Sequence, residues 1–362
     1  MIPERIKSGG GRVQFDLVCN ATAVECSHVK RVLFTAGECL NNVIVIKEKI
    51  LTHIHYYDFC GGNATCTPRV IGSSSHNEIV LGGRYKDYLY PQALVKQLGT
   101  KEIKSGRFHD YDMKIILDAK TKFQIVGQVN FTSEKTSLLD LVAHEMLHGL
   151  GIGSSFNMLS KSRNLAMPWY VKGFNRTLNF TQNIFNSHLY IRETGEPLSK
   201  FLDKLNSLPK ITRPQNHTLL LQPPYIDTIT ELSSLLTTNG SIYFLTTNNS
   251  KVDMDTSYTD YRPGTTLSHL DKGYFNTVES TMISQGTYGS GTDSLSDYTS
   301  WYISPYGPLT LEILASLGYT MRKNPTWGHS LGGIIQLLRQ DKRFIKRMNR
   351  INPPKRRTKK TN

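Results

Sequence analysis

His144, Glu145 and His148 are spaced so that one helix can present all three to a single ion. Residues four apart on an α-helix lie one above the other, so His144 and His148 offer two imidazoles on one face, and Glu145, one step round, can reach a water held there. Neutral imidazoles bind zinc, bound zinc lowers the pKa of water, and a neighbouring carboxylate can take the released proton and pass it to a leaving amine. That is the chemistry of peptide hydrolysis. A catalytic zinc usually takes three protein ligands. The position that would complete the shortest spacing, HExxHxxGxxH, is Ser154, a poor ligand, so the third donor is expected from further along the chain.

The elements that must position these residues can be read from the same sequence. SLLDLVAHEMLHGLG predicts a helix over 138–148: Ser137 with Asp140 three places on is a start signal, no Pro or Gly interrupts the run, and Gly149 and Gly151 stop it. Upstream, VQFDLV alternates as a strand, and apolar residues recur at helical spacing over 25–41. KILTHIHYYDF reads as a strand, PQALVKQL as a short helix over 91–98, and residues 112–126 as one or two strands, expected to include the edge against which an extended peptide would lie. The order strand, helix, strand, helix, strand implies an α+β fold. Residues 154–265 are long and polar, with helices expected near 198–208 and 227–236, and read as an insertion carrying its own small structure. A Gly/Ser/Thr-rich loop over 285–300 then leads to PLTLEILASLGY, a closing helix ended by Gly318.

Four blocks occur in a telling order: HEMLHGLG from His144, RPGTTLSHLD with His269, STMIS with Met282, and LTLEILASLGY ending at Tyr319. In this the chain resembles the leishmanolysin family of zinc metallopeptidases, in which a long insertion separates HExxHxLG from a serine-histidine pair, a methionine turn and a final helix. The resemblance covers roughly residues 12–322, more weakly upstream of the blocks named. It implies a two-lobed, metzincin-like α+β fold with a cleft between lobes and one zinc per chain. His269 would be the third ligand beside His144 and His148, Glu145 the general base, and Met282 an apolar floor beneath the metal. The domains expected are an N-terminal extension (1–11), an N-terminal zincin lobe (12–153), the insertion (154–265), a C-terminal segment (266–322) and a basic tail (323–362). The function implied is endopeptidase action on protein or peptide substrates. An inactive binding protein on the same scaffold is the alternative, disfavoured because all four site residues are intact. Glu231, in a helix of the insertion, is the fallback third ligand.

Composition narrows the rest. The 362 residues are 20% charged and 38% hydrophobic, a globular balance, and no stretch approaches the roughly 18–20 uninterrupted apolar residues that span a bilayer. From Arg339 on, eleven Lys or Arg against Asp341 carry +10 of the formal +14, so the base is a tail and the body is nearly balanced. A tail of this kind suits contact with polyanions, whereas a nucleic-acid protein would interleave aromatics with the charge. Five cysteines without a CxxC pair argue against a thiolate zinc site, and a disulfide between Cys60 and Cys66 is expected across the Gly-Gly turn. Sequons at Asn20, Asn63, Asn130, Asn175, Asn179, Asn216, Asn239 and Asn248 suggest a secreted glycoprotein. The opening MIPERIKSGGG lacks the apolar region of a secretory signal, which leaves an intracellular protein as the alternative. His53 and His55, alternate on one strand, read as exposed strand histidines, and Asp253, Asp255 and Asp260 as a polar loop without the pattern of a calcium site.

Overall fold

The computed structural model describes residues 3–62, 70–82, 85, 88–123, 136–172, 178–211, 217–275, 277, 279–284 and 305–323. In chain order the first elements are β1 (Glu4–Ser8), β2 (Val13–Cys19), α1 (Ala23–Val43), β3 (Ile50–Tyr57), β4 (Gly72–His76), β5 (Glu78–Leu81), β6 (Leu89–Pro91), α2 (Gln92–Leu98), β7 (Ile103–Ser105), β8 (Met113–Asp118) and α3 (Leu138–Gly149). They are followed by β9 (Asn157–Ser160), β10 (Leu165–Met167), β11 (Tyr170–Lys172), β12 (Leu178–Phe180), β13 (Leu189–Ile191), α4 (Lys200–Ser207), α5 (Tyr225–Leu236), β14 (Ile242–Leu245), β15 (Lys251–Asp253) and α6 (Pro308–Leu317). No described helix is long and apolar enough to cross a membrane.

The main sheet has the order β1-β2-β3-β8-β4, with β2, β3 and β8 parallel and an antiparallel strand at each edge. Parallel neighbours require a crossover, and α1 supplies it between β2 and β3. This helix starts at a full capping box, in which Thr22 accepts from the Glu25 N–H and the Glu25 carboxylate accepts from that of Thr22. Its buried stripe, including Val29, Val32, Leu33, Ala36 and Leu40, covers the sheet face to which β3 contributes Ile50, Thr52, Ile54 and Tyr56. The intervening β3 residues Leu51, His53 and His55 point to the other face and are half-buried.

The helix that carries the site residues lies over β4 and β8 and against α1. Ser137 caps it by accepting from the Asp140 N–H, and its buried residues Leu138, Val142, Ala143, Met146 and Leu147 join the main core. Gly72 of β4 allows the close approach, since a Cβ there would stand 2.9 Å from Glu145 Oε1 and 3.0 Å from Leu141 Cδ1.

Several expectations are corrected. Residues 4–8, expected within an extension, form the edge strand β1, because Arg5 clamps Asp16 through two 2.6 Å hydrogen bonds and Glu4 to Ser8 register with Leu17 to Val13. Of the expected strands within 112–126, the described one, β8, lies between β3 and β4 rather than at an edge; among the described residues the last strand on that side is the unforeseen β4, and residues 124–126 lie outside the described residues. Within residues 154–265, Leu165, Phe180, Leu205, Leu220 and Ile229 belong to a second hydrophobic cluster. The β13-β14-β15 sheet of the same stretch sends Leu189, Ile191, Phe244 and Val252 into the main core. A disulfide not anticipated joins Cys19 to Cys26 across the turn from β2 into α1, with Cα atoms 5.9 Å apart. Cys60 is also disulfide-bonded, while its expected partner Cys66 lies outside the described residues. The odd cysteine is Cys39, a buried thiol in α1 whose pKa burial pushes up to about 12. The loop over 285–300 and the basic tail from residue 324 also lie outside the described residues.

A buried carboxylate ties the closing helix to the rest. Glu279, 3% exposed, accepts from the N–H groups of Leu309 (2.7 Å) and Thr310 (3.0 Å) and from Thr310 Oγ1 (2.8 Å), capping α6 where its own N-cap, Gly307, has no side chain. Glu279→Ala leaves three donors unpaired and is expected to cost about 3 kcal/mol. Urea unfolding measures it; a loss below about 1 kcal/mol would remove the carboxylate from this role.

Candidate metal centre

Three imidazoles meet at one point. The Nε2 atoms of His144, His148 and His269 form a triangle with edges of 3.1, 3.3 and 3.2 Å. A tetrahedral ion with metal–nitrogen bonds of about 2.0–2.1 Å, the zinc–imidazole length, needs donor atoms about 3.3 Å apart. His269 is 6% exposed, and His144 and His148 keep a little accessible surface. Among the described residues no other group of three His, Cys, Asp or Glu donors converges in this way.

What aims the rings is backbone. Each Nδ1 meets a carbonyl oxygen: His144 that of Thr281 at 2.5 Å, His148 that of Ile152 at 2.7 Å, His269 that of Thr265 at 3.0 Å. A carbonyl only accepts, so in each ring Nδ1 carries the proton and Nε2 is left with its lone pair. Three lone pairs within 3.3 Å cannot hydrogen-bond to one another, and the donor set fits a cation shared between them.

Each carbonyl is supplied by a local device. After α3 the chain turns at Gly151, whose φ of +107° lies in the region that favours glycine, and the Gly151 and Ile152 N–H groups bond back to His148 and Leu147. This reversal brings the Ile152 carbonyl under His148. Ser154, rejected as a ligand, donates its backbone N–H to Ser268 Oγ and so links this turn to the His269 loop. That loop hangs on Asp255, whose N–H donates to the His269 carbonyl at 2.9 Å and whose own carbonyl accepts from Leu267. Leu270 donates to the carbonyl of Met282, beside Thr281, so the His269 and Met282 segments are latched directly. Met282 is fully buried in the main core.

Glu145 is 4% exposed and lies in α3 against Gly72 of the edge strand. Burial pushes its carboxyl up to about 8. Burial also holds His144, His148 and His269 down at about 3, helped in each case by a neighbouring imidazole. All three rings are therefore neutral, as metal binding requires.

The other candidates fall elsewhere. Glu231 sits on the exposed face of α5, paired with Lys204 at 3.0 Å, far from any role beside the imidazoles. His53 and His55 have ring centroids 4.4 Å apart, with Tyr111 stacked on His53; they are half-buried rather than exposed, and no third donor joins them among the described residues. Asp253 pairs with Arg192, and the fully buried Asp255 bonds Ser257 and Ser284. Sequence reading missed Asp255 as a support of His269, and missed the three carbonyls, which no side-chain pattern encodes.

Comparison with known proteins adds a lineage. A family model described as SPBPB7E8-like matches residues 4–191, more than half of the chain. The chain belongs to this family. The match takes in His144, Glu145 and His148 and stops short of His269 and Met282. An uncharacterised protein of Schizosaccharomyces pombe (strain 972), PB7E8.01, is 29% identical over 157 residues, 40% of this chain and 26% of that protein. The chain thus spans about a quarter of the length of the curated relative it matches. No solved structure matches.

The depressed imidazoles set the acid side of stability. Unfolded histidines take up protons below about pH 6.5, folded ones here only near 3, so across that window the unfolded chain binds more protons and the metal-free protein loses stability as pH falls. Glu145, and Asp140, raised by burial to about 6, act oppositely, but they are two carboxyls against three imidazoles. Above about pH 6.5 Glu145 acts alone and stability declines towards 8. Thermal unfolding of chelator-treated protein across this range is expected to show a maximum near pH 6.5; stability rising steadily into acid would contradict it.

Proposed function

We propose that the chain is a zinc-dependent endopeptidase of the leishmanolysin type, with one zinc held by His144, His148 and His269. The observation that carries this reading is the triangle of unprotonated Nε2 atoms with a buried carboxylate, Glu145, on the same helix. Zinc bound there supplies a Lewis acid towards water and the scissile carbonyl. The side chains divide the remaining work. The carbonyl-bound imidazoles fix the coordination geometry, and Glu145 takes the proton of the attacking water and delivers it to the leaving amine. The Met282 turn supports the reading as a rigid apolar base.

An extended polypeptide substrate would pair with β4, the edge strand beside Glu145, whose Ser73 and Ser75 are exposed. A secretory, glycosylated protein is part of the same proposal, supported by the Cys19–Cys26 disulfide and by exposed sequons at Asn20, Asn239 and Asn248. Contact with polyanions through the basic tail completes it.

Metal analysis of the purified chain is expected to give one zinc. His269→Ala should lose most of it together with activity, because two imidazoles alone hold the ion weakly. Retention of full zinc in that variant would sink the assignment. Glu145→Gln should keep zinc and lose peptidase activity by at least about a hundredfold, the contribution of a positioned general base. Near-normal turnover would exclude Glu145, and loss of zinc would make its role structural.

A further inference from the structure

The last residue of β4 turns its side chain back onto the site helix. His76 Nδ1 lies 3.0 Å from the carbonyl oxygen of His148. A carbonyl only accepts, so Nδ1 carries the proton and donates. His148 is thereby held twice, through its ring by the Ile152 carbonyl and through its own peptide by His76. The His148 carbonyl, near the end of α3, already accepts from the Gly151 N–H at 3.0 Å. It is therefore no orphan; a donor on its second lone pair fixes the direction of the peptide rather than satisfying it.

The base from which His76 reaches is itself fixed. β4 registers on β8 from Gly72 opposite Leu117 to His76 opposite Met113, and Met113 lies so close to Gly149 that a Cβ there would overlap its Sδ. Alternate residues of a strand share a face, so Gly72 and His76 both look towards α3. Gly72 lies against Glu145 and His76 bonds His148, so the strand meets the helix at the carboxylate and at one ligand. The other nitrogen of His76, Nε2, has the Glu78 carboxylate 3.8 Å away, beyond hydrogen-bond length. His76 is not a further donor to the centre: His144, His148 and His269 converge without it, and its Nδ1 is engaged by the carbonyl.

We propose that His76 is a positioning residue of the metal centre: its bond to the His148 carbonyl sets the peptide unit from which that ligand springs and makes β4 and the three imidazoles one rigid piece. The proposal rests on the reading of the imidazoles as a metal site. A small rotation of the His148 peptide swings its Nε2 out of the triangle, and the Gly151 N–H, on the same turn, would rotate with it. His76 refers the ligand to the sheet instead. On the peptidase reading, the strand that would pair with substrate and the ion that would act on it are held at one spacing.

The test uses the full chain freed of metal by chelation and titrated with cobalt(II), whose visible absorption reports the geometry of its donors. His76→Leu is expected to weaken cobalt by about tenfold, the lower end of what losing a partner of a ligand costs, and to change the absorption bands. His76→Asn places its amide NH2 where Nδ1 stood and should stay within about twofold of the parent, with the parent's bands. His76→Gln, whose amide falls where Nε2 stood, should behave as His76→Leu does. This polar pair carries the test should His76→Leu fail to fold. Glu78→Gln leaves the Nδ1 bond in place and is expected to bind as the parent does. Parent-like affinity and bands in His76→Leu or His76→Gln, a loss in His76→Asn equal to that in His76→Gln, or a loss in Glu78→Gln overturns the proposal. A parent chain that binds no cobalt refutes the metal reading and the proposal with it; cobalt binding by a chain whose zinc form cleaves no peptide refutes the peptidase reading alone.

Discussion

Three hydrogen bonds from imidazole Nδ1 to backbone carbonyls are the constraint on which the centre depends. They choose the tautomer, turn each ring and leave three lone pairs pointing inward. Lone pairs so close repel, and a cation held between them would relieve that repulsion, so the arrangement is one that could hold a metal ion. The carbonyls come from three separate places: the turn after α3, the loop before His269 and the turn at Met282. Each must be fixed independently for the triangle to close.

The surrounding structure answers that demand with buried polar groups. Asp255 fixes the His269 loop from below, Ser268 ties it to the turn after α3, and Glu279 anchors the Met282 segment to α6. None of these residues touches the imidazole Nε2 atoms. Their loss would loosen the angle at which donors meet, and a small change in angle is costly where three donors share one point.

Much of this was legible in the sequence, and the failures have physical reasons. The site helix could be bounded almost to the residue because capping, periodicity and glycine stops agree. His269 could be placed beside it only through the order of motifs in a resemblance, since 121 residues separate it from His148 and no local rule spans that gap. The edge strand was misplaced because GSSSH has neither the alternation nor the β-branched content that marks a strand; tertiary pairing with β8 makes it one. The Cys19–Cys26 bridge escaped because pairing depends on how closely the turn into α1 brings two Cα atoms, a distance that spacing alone does not fix. The half-buried outer face of β3 was read as exposed because a single strand's alternation says which residues share a face but not what stacks on it.

The composition of β4 has a consequence for the protein in solution. An edge strand that exposes its unpaired backbone is a template for any extended chain, including a second copy of itself, and such edges seed aggregation. Gly72 to His76 offers only one glycine, three serines and a histidine, five residues without a branched aliphatic or aromatic side chain to zip against another sheet. Among the described residues no strand pairs with its outer edge, and two copies meeting there edge to edge would find backbone bonds alone and separate.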